Sequence, residues 1–369
     1  MRGRRAALGF AFLIAVIAAV TAFYFTGMQT SSHQVVRLRG SGATFPQPQL
    51  EAWMQEFMKA HPNVEVEYSG VGSGAGQEQF FNGLTDFCGS DPPLTHEVWV
   101  KHRGEVLQIP YVLGAVTVVY NLPELSGDEH LNVSGEVLAL MYSGQIKYWD
   151  DPRILALNPA LKDVLPHREV VAVHRSDASG TTQIFTTFLH SSAPTQWPDR
   201  LVGKTIDWPV DSTGRGIGGK GNAGVTAVVV NTEYSIGYVE WSYAIKNRLR
   251  VAAVLNREGK PVLPSMKSIQ EAASQSLTSG LIPLDPREDF SKELQAIVNP
   301  PGDGSYPITS FSHIIIWTNY TDRGKQEALR EFIMWIMKEG RNYMVPGYAP
   351  VPQQIAEIGF KAAEILASP

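Results

Sequence analysis

The chain has 369 residues, of which 44% are hydrophobic and 10% aromatic, and its net charge is −5. That length suggests about two domains, and the apolar content excludes disorder, because ordinary cores can be buried. The mild acidity argues against a general binder of nucleic acid or acidic surfaces, which would show a basic face, yet a local cage could still hold one small anion.

The N-terminus departs from this composition. Met1-Arg2-Gly3-Arg4-Arg5 is basic, and residues 6–27 carry no charge. Such a run is long enough to span a bilayer, which takes ~20 residues, and it exceeds the apolar part of a secretory signal. It favours a retained anchor through residues 6–27 over a cleaved signal, for which Val20-Thr21-Ala22 offers a cut. The basic flank places the N-terminus in the cytoplasm. On either reading, the chain beyond about Gln29 is expected outside the cytoplasmic membrane.

Residues 30–34 read as a polar linker and Val35–Leu38 as a first strand. Leu50, Trp53, Met54, Phe57 and Met58 recur at i, i+3, i+4, i+7 and i+8, an amphipathic helix. Val64–Tyr68 alternates as a strand, Gly72–Gly76 reads as a loop, and a helix is expected near Gln77–Asn82. Cys88, the single cysteine, excludes an intramolecular disulfide and a CxxC pair; beside Phe87 it reads as a small buried residue. Gly114–Tyr120 and Val170–Val173 are β-rich, and Val225–Val230 and Ile236–Val239 add β signal. Thr182–Leu189 reads as a helix, Phe311–Trp317 as a buried strand, and Gln326–Glu339 as a helix. Strand, loop and helix thus repeat, as in an α/β protein with mainly parallel sheets.

Three segments place small or hydroxyl-bearing residues ahead of a helix: Gly42-Ala43-Thr44-Phe45-Pro46, Gly72-Ser73-Gly74-Ala75-Gly76, and Arg175-Ser176-Asp177-Ala178-Ser179-Gly180-Thr181-Thr182. A helix N-terminus offers unpaired N–H groups and a positive dipole end to an anion. Arginine adds a planar fork that donates two parallel hydrogen bonds to an oxyanion. Taken in order, these segments resemble the phosphate-binding protein family of the high-affinity phosphate ABC transporters. The resemblance runs from about Arg37 to about Gln353. It is supported by Asp86–Asp91, Gly144–Asp151, Gly218-Gly219-Lys220-Gly221-Asn222, Ile236–Glu240 and Tyr306–Ser310.

The resemblance implies a two-lobed periplasmic-binding-protein fold of type II, with helices flanking the sheets. It implies two hinge crossovers, near Tyr120–Asn121 and Ile308–Phe311. Residues 35–120 with 309–369 would form one lobe and residues 121–308 the other. It also implies a non-catalytic receptor that closes on inorganic phosphate and docks on the membrane permease of an ABC importer. Phosphate would be held by the Thr44 hydroxyl, the Phe45 N–H, the Ser73 hydroxyl, Arg175, and Ser179, Gly180 and Thr181. Asp177 would orient Arg175. Asp91 would accept the proton of a protonated phosphate, which rejects fully ionised sulfate. Ala178 stands where relatives more often carry glycine, which is tolerable at a negative φ. A monomer is expected, without cofactor, metal or nucleic acid. Two other readings stand beside this one: a receptor for another tetrahedral oxyanion such as sulfate or molybdate, and a phosphatase phosphorylated on Ser179 or Ser73.

Gly214–Lys220 matches GxxxxGK, but Gly221 stands where a P-loop needs Ser or Thr; the segment reads as a glycine-rich surface or rim of the cleft. The nine histidines show no metal spacing. Glu240, Trp241 and Tyr243 read as packing and surface residues.

Overall fold

The computed structural model describes residues 35–125 and 129–367. The expected anchor lies outside the described residues. Among those described, no helix is long and apolar enough to cross a membrane.

Strand β1 (Val36–Gly42) leads into helix α1 (Gln47–Ala60), which buries Leu50, Trp53, Met54 and Phe57 along one face. Each such side chain contributes about 1.5–3 kcal/mol when fully buried. Strand β2 (Val64–Gly70) pairs in parallel with β1. Helix α2 spans Ser73–Phe81, so Ser73 to Gly76 form its first turn and not the expected loop. The reason is packing: a side chain at Gly76 would meet the Gly42 backbone at 2.3 Å, so glycine lets the helix lie directly on β1. Strand β3 (Phe87–Ser90) carries Cys88, fully buried as expected, and burial pushes its thiol up to about 12.

Strand β4 (Val106–Asn121) runs for 16 residues. The elements that complete the main sheet and frame the site are β5 (Val171–Arg175), α3 (Gly180–Ser192), β6 (Gly216–Gly219), α4 (Gly221–Asn231), β7 (Ser235–Glu240), α5 (Trp241–Asn247), β8 (Thr309–Trp317), α6 (Arg323–Lys338) and α7 (Gln353–Ala367). The main sheet has the order β2-β1-β3-β8-β4-β7-β5-β6, with Arg250–Val251 also paired to β4. Its outer pairs, β1 with β2 and β3, and β5 with β6 and β7, are parallel; β8 and β4 between them run antiparallel to their neighbours. β4 changes partner midway: Val106–Ala115 pairs with β8, and Val116–Asn121 with β7. One strand therefore carries the chain from one half of the sheet to the other. The Val116 N–H donates to the Ile308 carbonyl at 2.8 Å, so the return passage lies beside the outward one.

The expectation of β structure over Val225–Val230 is corrected: these residues lie in helix α4. The β-branched run has a strand-like composition, but Val225 and Val229 lie four apart on one helical face and are buried against Val119, Val173 and Val239. Tertiary packing overrides the local preference. Conversely, the glycine-rich Gly216–Gly219 is an edge strand, paired in parallel with Ala172–Arg175.

Candidate anion-binding site

The first half contributes the turn after β1. Three consecutive carbonyls there are each held by a tyrosine hydroxyl. Tyr68 donates to Ala43 at 2.9 Å, Tyr243 to Thr44 at 2.7 Å, and Tyr348 to Phe45. Across a trans peptide the next N–H points opposite to the carbonyl, so the N–H groups of Thr44 and Phe45 face away from these phenols. The Thr44 Oγ1 accepts from the Asn222 backbone N–H at 3.1 Å and from its Nδ2 at 3.0 Å. A hydroxyl has two acceptor sites and one donor, so Thr44 keeps its proton to give. Ser73, fully buried at the first position of α2, accepts from the Asp91 N–H at 3.4 Å and likewise keeps its proton.

The second half contributes the turn between β5 and α3. Arg175, 4% exposed, donates from Nε to Asp177 Oδ1 at 2.7 Å and from Nη2 to Asp177 Oδ2 at 2.5 Å. Its Nη1 reaches Thr181 Oγ1 at 3.2 Å. Burial pushes the Asp177 carboxyl up, but the Arg175 hydrogen bonds and charge outweigh it and hold it below the usual range. Ser179 caps α3, its Oγ accepting from the Thr182 N–H at 3.1 Å, and Gly180 is the first residue of that helix. Ala178 has no positive φ, and its carbonyl accepts from the Gly74 N–H at 3.0 Å across the cleft. The methyl fits because position 74 is glycine; a side chain there would meet Ala178 Cβ at 2.5 Å.

Asp91, 1% exposed, faces these donors. Burial raises its carboxyl; a 3.1 Å hydrogen bond from Ser312 and the charges of Arg175 and Lys204 pull it back, leaving it at about 7. The halves are joined around it by Asn222 to Thr44, Tyr243 to Thr44, Gly74 to Ala178, and Lys204 Nζ to Gln77 Oε1 at 2.7 Å. A cavity of about 230 Å³ opens beside this cluster, lined by Thr44, Gln47, Gly70, Asp177, Lys220 and Tyr243. The arrangement is an enclosed set of hydroxyl, N–H and guanidinium donors around one carboxylate, suited to an oxyanion that carries a proton.

Residues 28–339 match the PBP superfamily domain. The chain is 44% identical over 339 residues to the phosphate-binding protein PstS of Methanocaldococcus jannaschii, covering 89% of this chain and 86% of that one. It is 36% identical to PstS of Pasteurella multocida, over 88% of this chain and 89% of that one. The chain belongs to the PstS phosphate-binding protein family. Solved structures share its fold: a high-affinity periplasmic phosphate-binding protein bound with phosphate aligns with a TM-score of 0.68 at 22% identity, covering 87% of this chain and 92% of that one. A phosphate-binding protein from Stenotrophomonas maltophilia aligns with a TM-score of 0.63 at 17% identity, covering 89% and 93%.

In this PstS family member all the residues singled out in the sequence, Thr44, Phe45, Ser73, Asp91, Arg175, Asp177, Ser179, Gly180 and Thr181, come together at one cleft. The sequence reading missed the residues that hold them. Asn222, in the first turn of α4, touches Thr44 and, through Nδ2 at 3.4 Å, Thr181. Its signal was the Lys220-Gly221-Asn222 stretch, masked by the mistaken strand at Val225–Val230. The reading of Tyr243 as a packing or surface residue is also corrected, because it bonds the site backbone. Glu240 is fully buried, as a packing residue is, and caps α5 by accepting from the Ser242 N–H at 2.9 Å. Lys204 and Ser312 carried no local signal.

Proposed function

We propose that this chain captures inorganic phosphate between its two halves and delivers it to the permease of an ABC importer. The observation that carries the reading is the buried Asp91 carboxylate set among the donors of Arg175, Ser73, Ser179 and Thr181. A carboxylate against an anion is repulsive unless the anion brings a proton to donate. Protonated phosphate does so; sulfate at neutral pH does not. Relatives named as phosphate-binding proteins support the same ligand.

On this reading Thr44, Phe45, Ser73, Arg175, Ser179, Gly180 and Thr181 donate to phosphate, Asp91 accepts from it, and Asp177 holds the Arg175 fork in place. Residues 35–120 with 309–369 act as one lobe and residues 121–308 as the other, closing over the ligand. The chain beyond the N-terminal apolar run works outside the cytoplasmic membrane, held by residues 6–27. It acts as a receptor and not as an enzyme, since binding and closure need only the donors named.

Calorimetric titration of residues 30–369 with phosphate and with sulfate tests the reading. One-to-one phosphate binding without a sulfate response is expected. In Asp91→Asn the discrimination between the two anions should relax. Equal sulfate binding by the unaltered protein would sink the assignment.

A further inference from the structure

Lys204 lies in neither anion turn, in the irregular stretch between α3 and β6, yet it is tied to both halves. Its carbonyl accepts from the Ser179 N–H at 2.9 Å, and its partly buried Nζ donates to Gln77 Oε1 on α2 at 2.7 Å. Gln77 Nε2 in turn donates to Ser90 Oγ at 2.8 Å, and Ser90 Oγ to the Pro92 carbonyl at 2.6 Å. The relay therefore ends on the residues that flank Asp91. The two cations of the site are placed differently. Arg175 is forked on Asp177, which meets much of its charge. Lys204 is seated on a neutral amide, which fixes its position without cancelling its charge.

We propose, building on the phosphate reading above, that Lys204 is a positioning residue for anion selectivity. When the halves meet, its ammonium, seated on Gln77, keeps the Asp91 carboxylate ionised. Asp91 then accepts the proton of a protonated oxyanion and does not donate one to an unprotonated oxyanion.

The groups around Asp91 allow this assignment. Ser312 donates its hydroxyl proton to the Asp91 carboxylate, Ser73 lies against the Asp91 N–H, and Arg175 and Lys204 supply positive charge. The neighbouring phenols of Tyr68, Tyr111 and Tyr243 and the Cys88 thiol are all pushed upward by burial, so they stay neutral through the physiological range. Glu240, the other acid that senses Asp91, is itself pushed well above the usual carboxylate range by burial. Asp91 thus takes up a proton as pH falls through about 7, and the Lys204 charge opposes that uptake. Burial lowers Lys204 to about 8, so above that pH it sheds its own proton, where Asp91 is already ionised. The effect belongs to the range below about pH 8.

The test is the dissociation constant for inorganic phosphate and for sulfate, measured from about pH 6 to pH 9, for the unaltered protein, Lys204→Met and Lys204→Arg. The variant-to-parent ratio cancels the titration of phosphate itself. For Lys204→Met we expect phosphate Kd to rise about tenfold near pH 6.5 and to return within about twofold of the parent near pH 8.5. Sulfate binding should emerge at the acid end only, where Asp91 carries a proton to donate. Lys204→Arg should restore the parent profile, and Glu240→Gln in the same background should leave it unchanged. A loss equal at every pH with sulfate still refused would make Lys204 a mere tie between the halves and overturn the proposal, as would a profile identical to the parent. If Lys204→Met does not fold, Gln77→Leu, which removes the seat, must give the same pH-dependent loss, and a uniform loss again overturns it. Failure of the unaltered protein to bind phosphate would instead remove the receptor reading on which the proposal rests.

Discussion

The two turns that meet at the cleft are held in opposite ways. The Arg175–Thr181 turn supports itself: Arg175 is gripped by Asp177 two residues on, Thr181 takes its third nitrogen, and Ser179 caps its own helix. The Ala43–Phe45 turn is instead pinned from outside by Tyr68, Tyr243 and Tyr348, one of them more than 300 residues away in sequence. The difference teaches where each kind of residue acts. Local charge pairing pre-forms the cationic side of the site within one half. Remote phenols fix the neutral side, and one of them, Tyr243, comes from beyond β4, so that on the proposed two-lobe reading that side is completed by closure.

Removing the guanidinium tests this division most severely. Arg175→Met leaves Asp177 buried without its partner and deletes the only forked donor of the turn. Losing one member of a buried charge pair costs about 2–5 kcal/mol, a factor of roughly thirty to several thousand in phosphate Kd. Thr44→Val, on the other turn, removes a neutral donor and should cost about fivefold. Calorimetry on both variants would break the comparison if the two losses were equal.

Gly74→Ala probes the place where the turns touch. The new methyl would stand 2.5 Å from Ala178 Cβ, a contact that the proposed closure brings together. Overpacking of this kind costs about 1–3 kcal/mol, so Kd should rise by roughly five- to 150-fold, while the melting temperature without phosphate stays near the parent value. Ala178→Gly in the same chain should recover most of the affinity. A drop in unliganded stability equal to the loss in binding would show that the contact persists when the halves are apart.

These outcomes bear on how much of the molecule the sequence discloses. The self-supporting turn was legible because Arg175, Asp177, Ser179 and Thr181 are neighbours in sequence, and their chemistry can be paired on paper. Thr44, Ser73 and Asp91 could be singled out as candidate ligands, Thr44 and Ser73 through their place before helices and all three through the family resemblance. Their supports could not, because Tyr243, Asn222, Lys204 and Ser312 reach the site only after β4 has carried the chain across and β8 has brought it back. The same limit explains α4. A valine run has the composition of a strand, and only the buried partners of Val225 and Val229 select the helix.

The tyrosine pins sharpen the contrast at a smaller scale. Each neutral hydrogen bond is worth about 1 kcal/mol, or about fivefold. Tyr68 and Ala43 belong to the same half, so Tyr68→Phe should lower the unliganded melting temperature and leave Kd within about twofold. Tyr243 reaches over from the other half, so Tyr243→Phe should raise Kd about fivefold and leave that temperature unchanged. Paired calorimetry and thermal melts on the two variants separate the roles, and matching behaviour would place both bonds in one half.

The smallest effect lies behind these pins. Glu240 accepts from Ser242, and the Ser242 hydroxyl also donates to Tyr348 at 3.1 Å, the phenol that holds Phe45. Burial raises the Glu240 carboxyl well above its ordinary value. An acid whose folded pKa lies above its unfolded one, about 4.3, stabilises the fold fully below that lower value and loses the contribution as pH rises through the folded one. Glu240→Gln keeps an acceptor for the Ser242 N–H and carries no proton to lose. Between about pH 5 and pH 8 its melting temperature should therefore gain on the parent by a few degrees, on the order of 2 °C per kcal/mol in a domain of this size, with phosphate affinity near neutral pH unchanged. A gap that stays constant with pH would mean that Glu240 is not the group titrating. A loss of affinity would mean that the Ser242–Tyr348 link does more than steady the turn, and that the neutral side of the cleft depends on the ionisable group behind it.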